Sequence, residues 1–216
     1  MSAAAGLDGT HILVTAGPTH EPIDPVRYLA NRSSGKQGFA IAAALARRGA
    51  RVTLIAGPVT LDTPVGVTRI DVETALQMQA AVESALPADA AILVAAVADW
   101  RVEGAGQKIK KGAGGPPTLR LVENPDILAG LAASPHRPRL LVGFAAETER
   151  VIEHATAKRV RKTVDWIVAN DVSGDVMGGT ANTVHIVSAD GVESWERMPK
   201  EAVAERLVDR IAQALG

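Results

Sequence analysis

The fold of this chain is decided by one apolar run, Ala90-Ala-Ile-Leu-Val-Ala-Ala-Val97. The run is almost continuously hydrophobic, which is typical of a parallel strand that helices cover on both faces. A similar run, His11-Ile-Leu-Val-Thr-Ala16, lies upstream, and amphipathic Ala-rich segments separate such runs along the chain. This alternation of β and α segments predicts an α/β fold with a doubly wound, mostly parallel, Rossmann-like sheet.

The same criteria extend this prediction along the chain. Further strands are predicted at residues 51–56, 68–72, 118–122, 140–144 and 166–169. Helices are predicted at residues 39–48, 74–86, 148–162 and 199–215, and another begins at Asn124-Pro125, with Asn as its cap and Pro as its first residue. An Ala-Asp-Gly turn predicts a C-terminal β-hairpin from residues 184–188 and 192–197.

Length and composition narrow the class of protein. The 216 residues fit a single domain, 1–216, and no linker-like segment divides it. There is no cysteine, so disulfides, thiolate metal sites and cysteine nucleophiles are excluded. A formal charge of -1 and 3% aromatic residues argue against a nucleic acid partner. Because there is no signal-peptide pattern and no apolar run of membrane-spanning length, we expect a cytoplasmic protein without membrane contact.

The segment from Gly17 to Gly38 is the first candidate site, because ligands of parallel sheets bind beyond the carboxyl ends of strands. It lacks the Gly-x-Gly-x-x-Gly spacing of a dinucleotide-binding turn. It is not a P-loop either, because Gln37 stands where that motif has Ser or Thr. The stretch Ser33-Ser-Gly-Lys-Gln-Gly38 leads into a helix and suits an anion such as phosphate. A Ser-capped helix entry without a ligand is the alternative.

Other polar or aromatic residues stand at the ends of predicted strands. Asn31 precedes the anion site, where its amide is suited to bind an oxyanion, although asparagine is also common in turns. Asp99 follows the apolar run and either meets a ligand or a metal, or is a helix cap or a solvated loop acid. The stretch Asn124-Pro-Asp-Ile127 either faces a ligand or only caps a helix. Phe144 closes a strand and either flanks a base or packs in the core.

Two basic segments complete the set of candidates. Residues 101–117 are rich in Gly and Lys, which predicts a flexible flap that carries Lys108-Ile-Lys-Lys111. Such a flap either delivers charge to phosphates or is simply solvated. Lys158 and Lys162 share one helical face, with the same two interpretations. The five histidines show no metal-ligand spacing and no Gly-x-Ser-x-Gly is present, so zinc hydrolysis and triad chemistry have no support.

Taken together, the motifs resemble the bacterial phosphopantothenate–cysteine ligase family. Each motif is weak by itself, but eight of them occur in order over nearly the whole chain. They are Val14-Thr-Ala-Gly-Pro-Thr19, Glu21-Pro-Ile-Asp-Pro-Val-Arg-Tyr28, Asn31-Arg-Ser-Ser-Gly-Lys36, Ala95-Ala-Val-Ala-Asp99, Lys108-Ile-Lys-Lys111, Asn124-Pro-Asp-Ile127, Gly143-Phe-Ala-Ala-Glu-Thr148 and Ala169-Asn-Asp-Val172.

The resemblance implies an activity in two steps. The carboxylate of 4'-phosphopantothenate attacks the α-phosphate of CTP, which gives an acyl-cytidylate and pyrophosphate. The amine of L-cysteine then displaces CMP and forms the amide. The resemblance further implies Mg²⁺ or Mn²⁺, without naming the metal ligands, and a homodimer. In many family members a flavin-dependent decarboxylase domain precedes this one; the 216 residues do not contain it, and residues 1–8 resemble the end of a linker.

The resemblance also assigns roles to residues. Asn31 would act in the second step, Lys108 would help to form the intermediate, and Arg27 would bind the 4'-phosphate of the substrate. The implied nucleotide-binding residues are Ser33, Ser34, Gly35, Gly38, Leu93, Val94, Ala95, Asp99, Lys108, Asn124, Pro125, Asp126, Ile127, Phe144, Lys158 and Lys162. The lysines expected to converge on one triphosphate are Lys108, Lys110, Lys111, Lys158 and Lys162. Trp100 departs from the more usual Tyr or Phe but keeps an aromatic ring.

Two other functions stay open at the level of sequence. An NAD(P)-dependent Rossmann reductase would share the β-α alternation, although the missing Gly-x-Gly-x-x-Gly argues against it. A non-catalytic nucleotide-binding or dimerisation module would also fit the pattern. The preference for CTP over ATP comes from the resemblance alone, because no residue demonstrates it.

Overall fold

The computed structural model describes residues 6–110, 115, 117–171 and 179–216. These ranges contain twelve strands and five helices. The strands are β1 (His11–Ala16), β2 (His20–Asp24), β3 (Arg27–Ala30), β4 (Arg51–Ala56), β5 (Val67–Asp71), β6 (Ala90–Leu93), β7 (Trp100–Val102), β8 (Leu121–Glu123), β9 (Leu140–Glu147), β10 (Trp166–Asp171), β11 (Ala181–Val187) and β12 (Val192–Pro199). The helices are α1 (Lys36–Arg47), α2 (Ala75–Ser84), α3 (Ile127–Ala132), α4 (Val151–Lys162) and α5 (Lys200–Leu215).

The central sheet of the described residues has eight strands in the order β12-β11-β10-β9-β6-β1-β4-β5. Neighbours from β10 to β5 are parallel. The last two strands form the antiparallel hairpin predicted from the Ala-Asp-Gly turn. The strand order reverses between β1 and β6, and such a switch point opens a crevice at the carboxyl ends of the strands. The predicted α/β, mostly parallel, Rossmann-like fold is confirmed.

Helices cover both faces of the sheet, as the continuous apolar runs predict. In β1, Ile12 and Val14 pack with α1 and α5 in one core. Leu13 points to the opposite face and packs in a second core with α2, α3 and α4. The side chains of β1 are therefore buried on both faces, since successive residues alternate between the two cores. None of the described helices is long and apolar enough to cross a membrane.

The strand predicted at residues 90–97 is shorter than expected and ends at Leu93. Beyond this point the chain still follows β1 and its extension but leaves β9. The buried hydroxyl of Thr15 accepts a hydrogen bond from Ala95 N at 3.2 Å, and Thr19 accepts one from Ala98 N at 3.0 Å. These side-chain bonds add to backbone bonds from Val94 N and Ala96 N that continue along the β1 side, and the segment lines the crevice. Apolar composition alone did not indicate this end point.

The first loop contains a hairpin, β2–β3, that the sequence analysis did not predict. Proline is unfavourable inside strands, and Pro22 hides the strand pattern of β2. The hairpin is attached to α2, because buried Glu21 accepts a hydrogen bond from Ala75 N at 2.9 Å. Thr74 and Gln77, which lie at capping-box spacing in the sequence, form a capping box at the same helix end.

Several other predicted boundaries are wrong, and three of them bear on the site. The helix expected to begin at Pro125, with Asn124 as its cap, is capped by Asp126 and begins at Ile127, since the carboxylate of Asp126 accepts from Ala129 N. The flap does not begin as irregular chain at residue 101, because β7 pairs with β8 in a separate two-stranded sheet. β9 extends to Glu147, so α4 begins at Val151 instead of residue 148.

Candidate functional site

A cleft of about 1180 Å³ lies at the carboxyl ends of the parallel strands, on both sides of the switch point. Two helix starts, those of α1 and α3, form part of its boundary. The rest is formed by the segment after β6, the last turns of α4, and the ends of β9 and β10. This is the position in which open α/β sheets bind ligands. The fold therefore brings the candidate residues from distant parts of the sequence to a single place.

Most of the residues implied by the resemblance line this cleft. They are Asn31, Ser33, Ser34, Gly35, Gly38, Leu93, Val94, Ala95, Asp99, Asn124, Pro125, Asp126, Ile127, Phe144, Lys158 and Lys162. Lys108 and Arg27 are not among the lining residues. Of the five lysines expected to converge, Lys158 and Lys162 line the cleft, Lys108 and Lys110 do not, and Lys111 lies outside the described residues.

We call residues 15–19 and 94–98, together with Asn31, the floor of the cleft. Asn31 Nδ2 donates to the backbone carbonyls of Ala96 at 3.2 Å and Val97 at 3.1 Å. The position of these two acceptors identifies the nitrogen of the amide, because a carboxamide oxygen would repel them. Asn31 Oδ1 is consequently directed away from the backbone. In the described part of the chain, it is available to a ligand as a hydrogen-bond acceptor.

The start of α1 forms the side of the cleft next to the floor. Its cap, Gly35, has a left-handed backbone with φ 73° and makes no side-chain cap hydrogen bond, so the alternative of a Ser-capped entry is wrong. A Cβ added to Gly38 would lie 2.5 Å from the Cβ of Ala16, and only glycine allows this close approach to β1. Backbone amides at such a helix start favour an anion.

We call the charged groups around the opening the rim of the cleft. On α4, Lys158 Nζ donates to the Phe144 carbonyl at 2.9 Å, and burial lowers the pKa of Lys158. Lys162 forms an ion pair with Asp126, the cap of α3. The interpretation of Lys158 and Lys162 as a purely solvated face is therefore wrong, since both contact the walls of the cleft.

The rim also includes an ion pair beneath the flap. The Arg27 guanidinium hydrogen-bonds buried Asp24 and holds the pKa of that carboxyl well below its usual range. Asp24 Oδ2 accepts from Ile109 N at 3.1 Å, and Arg27 Nη2 donates to the Ile109 carbonyl at 2.9 Å. The pair thus holds the backbone next to Lys108, while Lys108 itself is exposed.

Asn124 and Phe144 each have a structural contact in addition to their place in the cleft. Asn124 Nδ2 donates to the Ala98 carbonyl at 2.8 Å and so connects the start of α3 to the floor. Phe144 packs partly against the core formed with α1 and α5. The alternative of a helix cap is wrong for Asn124, because Asp126 caps α3. Both residues line the cleft, and a contact with a ligand stays a prediction for each of them.

Sequence reasoning missed a group of carboxamides on the opposite wall. Gln37 is buried; its Nε2 donates to the Lys200 carbonyl, and its Oε1 accepts from Asn182 Nδ2, each at 3.1 Å. Asn170 lines the same part of the cleft. The one available signal was Gln37 itself, at the position where a P-loop carries its hydroxyl. Its partners lie more than 140 residues further along the chain, beyond the reach of local patterns.

The described residues contain no group of three or more His, Asp or Glu side chains that would by itself hold a metal ion. Mg²⁺ does not require such a group, because it usually keeps several waters and binds one or two carboxylates together with substrate phosphates. Asp99 supplies an exposed carboxylate on the wall of the cleft. The donor set therefore fits a Mg²⁺–phosphate complex.

The fold and the cleft together define a Rossmann-like protein with a ligand site at the topological switch point. The chain belongs to the family described as the DNA/pantothenate metabolism flavoprotein C-terminal domain, whose model matches residues 7–215. This result confirms the family resemblance that the ordered motifs indicate.

Individual relatives agree with this assignment. The chain is 51% identical over 208 residues to the coenzyme A biosynthesis bifunctional protein CoaBC of Escherichia coli, which covers 93% of the chain but 51% of the relative. The chain thus spans about half the length of this relative. Its fold is similar to a crystal structure of the C-terminal domain of CoaBC, with a TM-score of 0.83, 39% identity and 97% coverage of both chains. A Cab2 mutant in complex with phosphopantothenate-cysteine shares the fold at 16% identity, a TM-score of 0.75, and coverage of 95% and 87%.

Proposed function

We propose that this chain ligates 4'-phosphopantothenate with L-cysteine in a CTP-dependent reaction of coenzyme A biosynthesis. Support comes from the similarity of the chain to the C-terminal domain of a bifunctional coenzyme A biosynthesis protein. The observation that carries the proposal is the arrangement of the cleft: a helix start suited to an anion and two half-buried α4 lysines flank an asparagine whose amide oxygen is available.

In the first step, the substrate carboxylate attacks the α-phosphate of CTP and pyrophosphate leaves. Negative charge accumulates on the phosphates, and Lys158 and Lys162 neutralise it from α4. Backbone amides at the start of α1 supply further hydrogen bonds to phosphate oxygens. Mg²⁺, bound through the phosphates and Asp99, would add charge neutralisation when present.

In the second step, the neutral amine of cysteine attacks the acyl carbon. A C–N bond forms, the bond between the acyl carbon and the phosphate oxygen breaks, CMP leaves, and the amine loses a proton. Asn31 Oδ1 is suited to accept a hydrogen bond from the attacking amine and orient its lone pair toward the acyl carbon. No nucleophilic side chain is needed, because the cytidylate is already a good leaving group.

Two proposed residues require the protein to move or to assemble. Lys108 would reach the phosphates from the flap, and this requires the flap to approach the cleft. Arg27, which contacts Asp24 and Ile109, would bind the 4'-phosphate at an interface between two copies of the chain. Exposed Val26 and Tyr28 on the same hairpin provide apolar surface for such a homodimer.

The decisive experiment follows pyrophosphate release from this chain with 4'-phosphopantothenate, Mg²⁺ and either CTP or ATP, with and without cysteine. We expect release with CTP, and sustained turnover only when cysteine is added. Activity with ATP alone would contradict the nucleotide assignment. Binding of CTP without release from either nucleotide would contradict catalysis and support a non-catalytic nucleotide-binding module.

A further inference from the structure

Glu21 is a buried acidic residue to which the two-step reaction assigns no role. It lies in β2, and only 1% of its surface is exposed. Its Oε1 accepts a hydrogen bond from the backbone amide of Ala75, the first residue of α2, at 2.9 Å. Glutamate is rarely buried this completely unless it has a specific partner. Here the partner is the start of a helix that follows 54 residues later in the chain.

The start of α2 also has a cap of its own. Thr74 Oγ1 accepts from Gln77 N at 3.3 Å, and Gln77 Oε1 accepts from Thr74 N at 3.2 Å. This reciprocal capping box closes the helix end with local residues alone. The bond from Ala75 N to Glu21 therefore does more than cap a helix, because it joins α2 to the β2–β3 hairpin.

The same end of the hairpin leads directly to Asn31. His20, next to Glu21, donates from its backbone amide to the Glu73 carbonyl at 2.7 Å, so β2 is attached to the start of α2 at two successive residues. His20 pairs with Ala30 in the antiparallel ladder. Asn31 follows Ala30, so it stands one residue beyond the part of the hairpin that α2 holds.

Asn31 depends on this support because little else fixes its backbone. Its side chain is exposed, and β3 before it is mostly exposed as well. Its Nδ2 donates to the carbonyls of Ala96 and Val97 at 3.2 and 3.1 Å. These two bonds orient the carboxamide only while the backbone of Asn31 stays at this distance from the floor.

We propose that Glu21 is a positioning residue for the amine step, because it fixes the β2–β3 hairpin on α2 and thereby holds Asn31 against the floor. This proposal rests on the proposed function. The turn end of the hairpin is held separately, through Asp24 and Ile109. The phosphate contacts of the first step come from α1 and α4. A hairpin displaced at its Asn31 end therefore slows the second step selectively when all substrates are saturating.

The first test compares two variants that separate the reach of the side chain from its charge. Glu21→Asp keeps the carboxylate but is one methylene shorter, so the bond to Ala75 N is lost unless the hairpin moves. Glu21→Gln keeps an oxygen at full length and removes only the charge. We expect amide formation to be about tenfold slower in Glu21→Asp and within about threefold of the unmodified chain in Glu21→Gln. Pyrophosphate release in the first turnover should stay within about twofold in both variants.

The matched control is Glu83→Asp, which makes the same shortening on the exposed surface of α2 and should leave both steps unchanged. A slow amide step in Glu21→Gln with a normal one in Glu21→Asp would overturn the proposal, because charge and not reach would then matter. Equal slowing of both steps in Glu21→Asp would also overturn it, since a general loss of structure acts on both. Glu21→Gln still tests the proposal if Glu21→Asp folds poorly, because strong slowing of its amide step contradicts a role that depends on reach.

The second test asks whether Glu21 acts through Asn31. In an Asn31→Ala background, Glu21→Asp should slow the amide step by less than about twofold, because the group that it positions is already absent. A full tenfold effect in that background would mean that Glu21 acts independently of Asn31 and would overturn the proposal.

A third measurement requires no turnover and separates this inference from the proposed function. The side-chain amide signals of Asn31 in NMR spectra, assigned by their loss in Asn31→Ala, should shift in Glu21→Asp and stay in place in Glu21→Gln. Unshifted signals in Glu21→Asp, in a chain that ligates, contradict only the role of Glu21. An unmodified chain that releases no pyrophosphate contradicts the ligase itself, and with it the step that Glu21 serves.

Discussion

The floor and the rim of the cleft are built by different physical means. The floor is held by neutral hydrogen bonds of buried or backbone groups: Thr15 and Thr19 accept from backbone amides, and Asn31 donates to backbone carbonyls. The rim is held by charges, with Lys162 paired to Asp126 and Arg27 paired to Asp24. Neutral hydrogen bonds depend little on salt or pH, whereas partly exposed charges depend on both. The difference suggests that the floor positions the reacting atoms and that the rim determines affinity for anions.

The largest expected effect is at Asn31, where a change of one group tests the floor directly. Asn31→Asp removes the donor to Ala96 and Val97, and the carboxylate repels their carbonyl oxygens. We expect the acyl-cytidylate to form and the amide step to slow by on the order of 10²-fold, the usual loss for one positioned polar group. Rapid-quench analysis would show stoichiometric pyrophosphate without matching amide product.

Gln79→Glu makes the same amide-to-acid change on the exposed surface of α2 and should leave both steps unchanged. If Asn31→Asp turned over like the unmodified chain, the floor would not position the reacting atoms, and the contrast with the rim would fail.

The next largest effect concerns the support of the floor. Thr19→Val keeps the volume of a fully buried side chain but leaves Ala98 N without its acceptor. An unpaired buried donor costs about 1–3 kcal/mol, so thermal or urea unfolding should show a clear loss of stability. Thr156→Val removes an exposed hydroxyl from α4 and is the control. Equal losses in both variants would mean that the hydroxyl of Thr19 does not hold the floor.

A smaller effect is expected at the rim from Lys158. Burial lowers the pKa of this lysine below its ordinary value of 10.5. The charged form therefore disappears as pH rises through the lowered pKa, and CTP affinity should fall at alkaline pH before an exposed lysine would deprotonate. Lys158→Met should weaken CTP binding about tenfold near neutral pH and abolish the alkaline decrease.

Lys158→Arg keeps its charge at alkaline pH because the guanidinium does not titrate there, so its CTP affinity should stay flat with pH. Titration calorimetry of CTP between neutral and alkaline pH measures this difference. If the unmodified chain and Lys158→Arg showed the same dependence of CTP affinity on pH, the alkaline decrease would belong to another group.

The smallest effect is expected beneath the flap. Asp24→Asn removes the charge that pairs with Arg27 while keeping an oxygen for Ile109 N. We expect the KM for 4'-phosphopantothenate to change a few-fold at low salt and less at high salt, because a partly exposed ion pair contributes little.

The pKa of Asp24 is depressed, so the ion pair is intact above the usual range of Asp and is lost only as pH falls through the lowered value. The difference between Asp24→Asn and the unmodified chain should therefore persist unchanged from neutral pH down to about 4, the ordinary Asp range. Convergence of the two proteins in that interval would contradict the depressed pKa.

The sequence predicted those elements in which local pattern and burial agree. The bounds of β1 and β4 match their predictions, since each is an apolar run with clear flanking residues. The capping box of α2 was also readable, because it involves only Thr74 and Gln77. β2 was missed, since Pro22 argues against a strand while an edge position tolerates it. The early end of β6 was missed because it depends on where the chain leaves β9, a strand that is distant in the sequence.

In the candidate site, too, local patterns predicted some features, and contacts between distant residues decided the others. Most of the residues that the motifs indicate line the cleft, because most of the motifs stand at the ends of parallel strands and those strands end at one edge. The sequence by itself therefore determined the class of fold, the family, and part of the floor, namely Asn31, Val94 and Ala95. The tertiary structure alone decided that Gln37 meets Lys200 and Asn182, that Glu21 meets the start of α2, and that Lys108 stands outside the cleft. The physical reason is that local patterns encode burial and backbone conformation, whereas contacts between distant residues depend on how the completed layers pack.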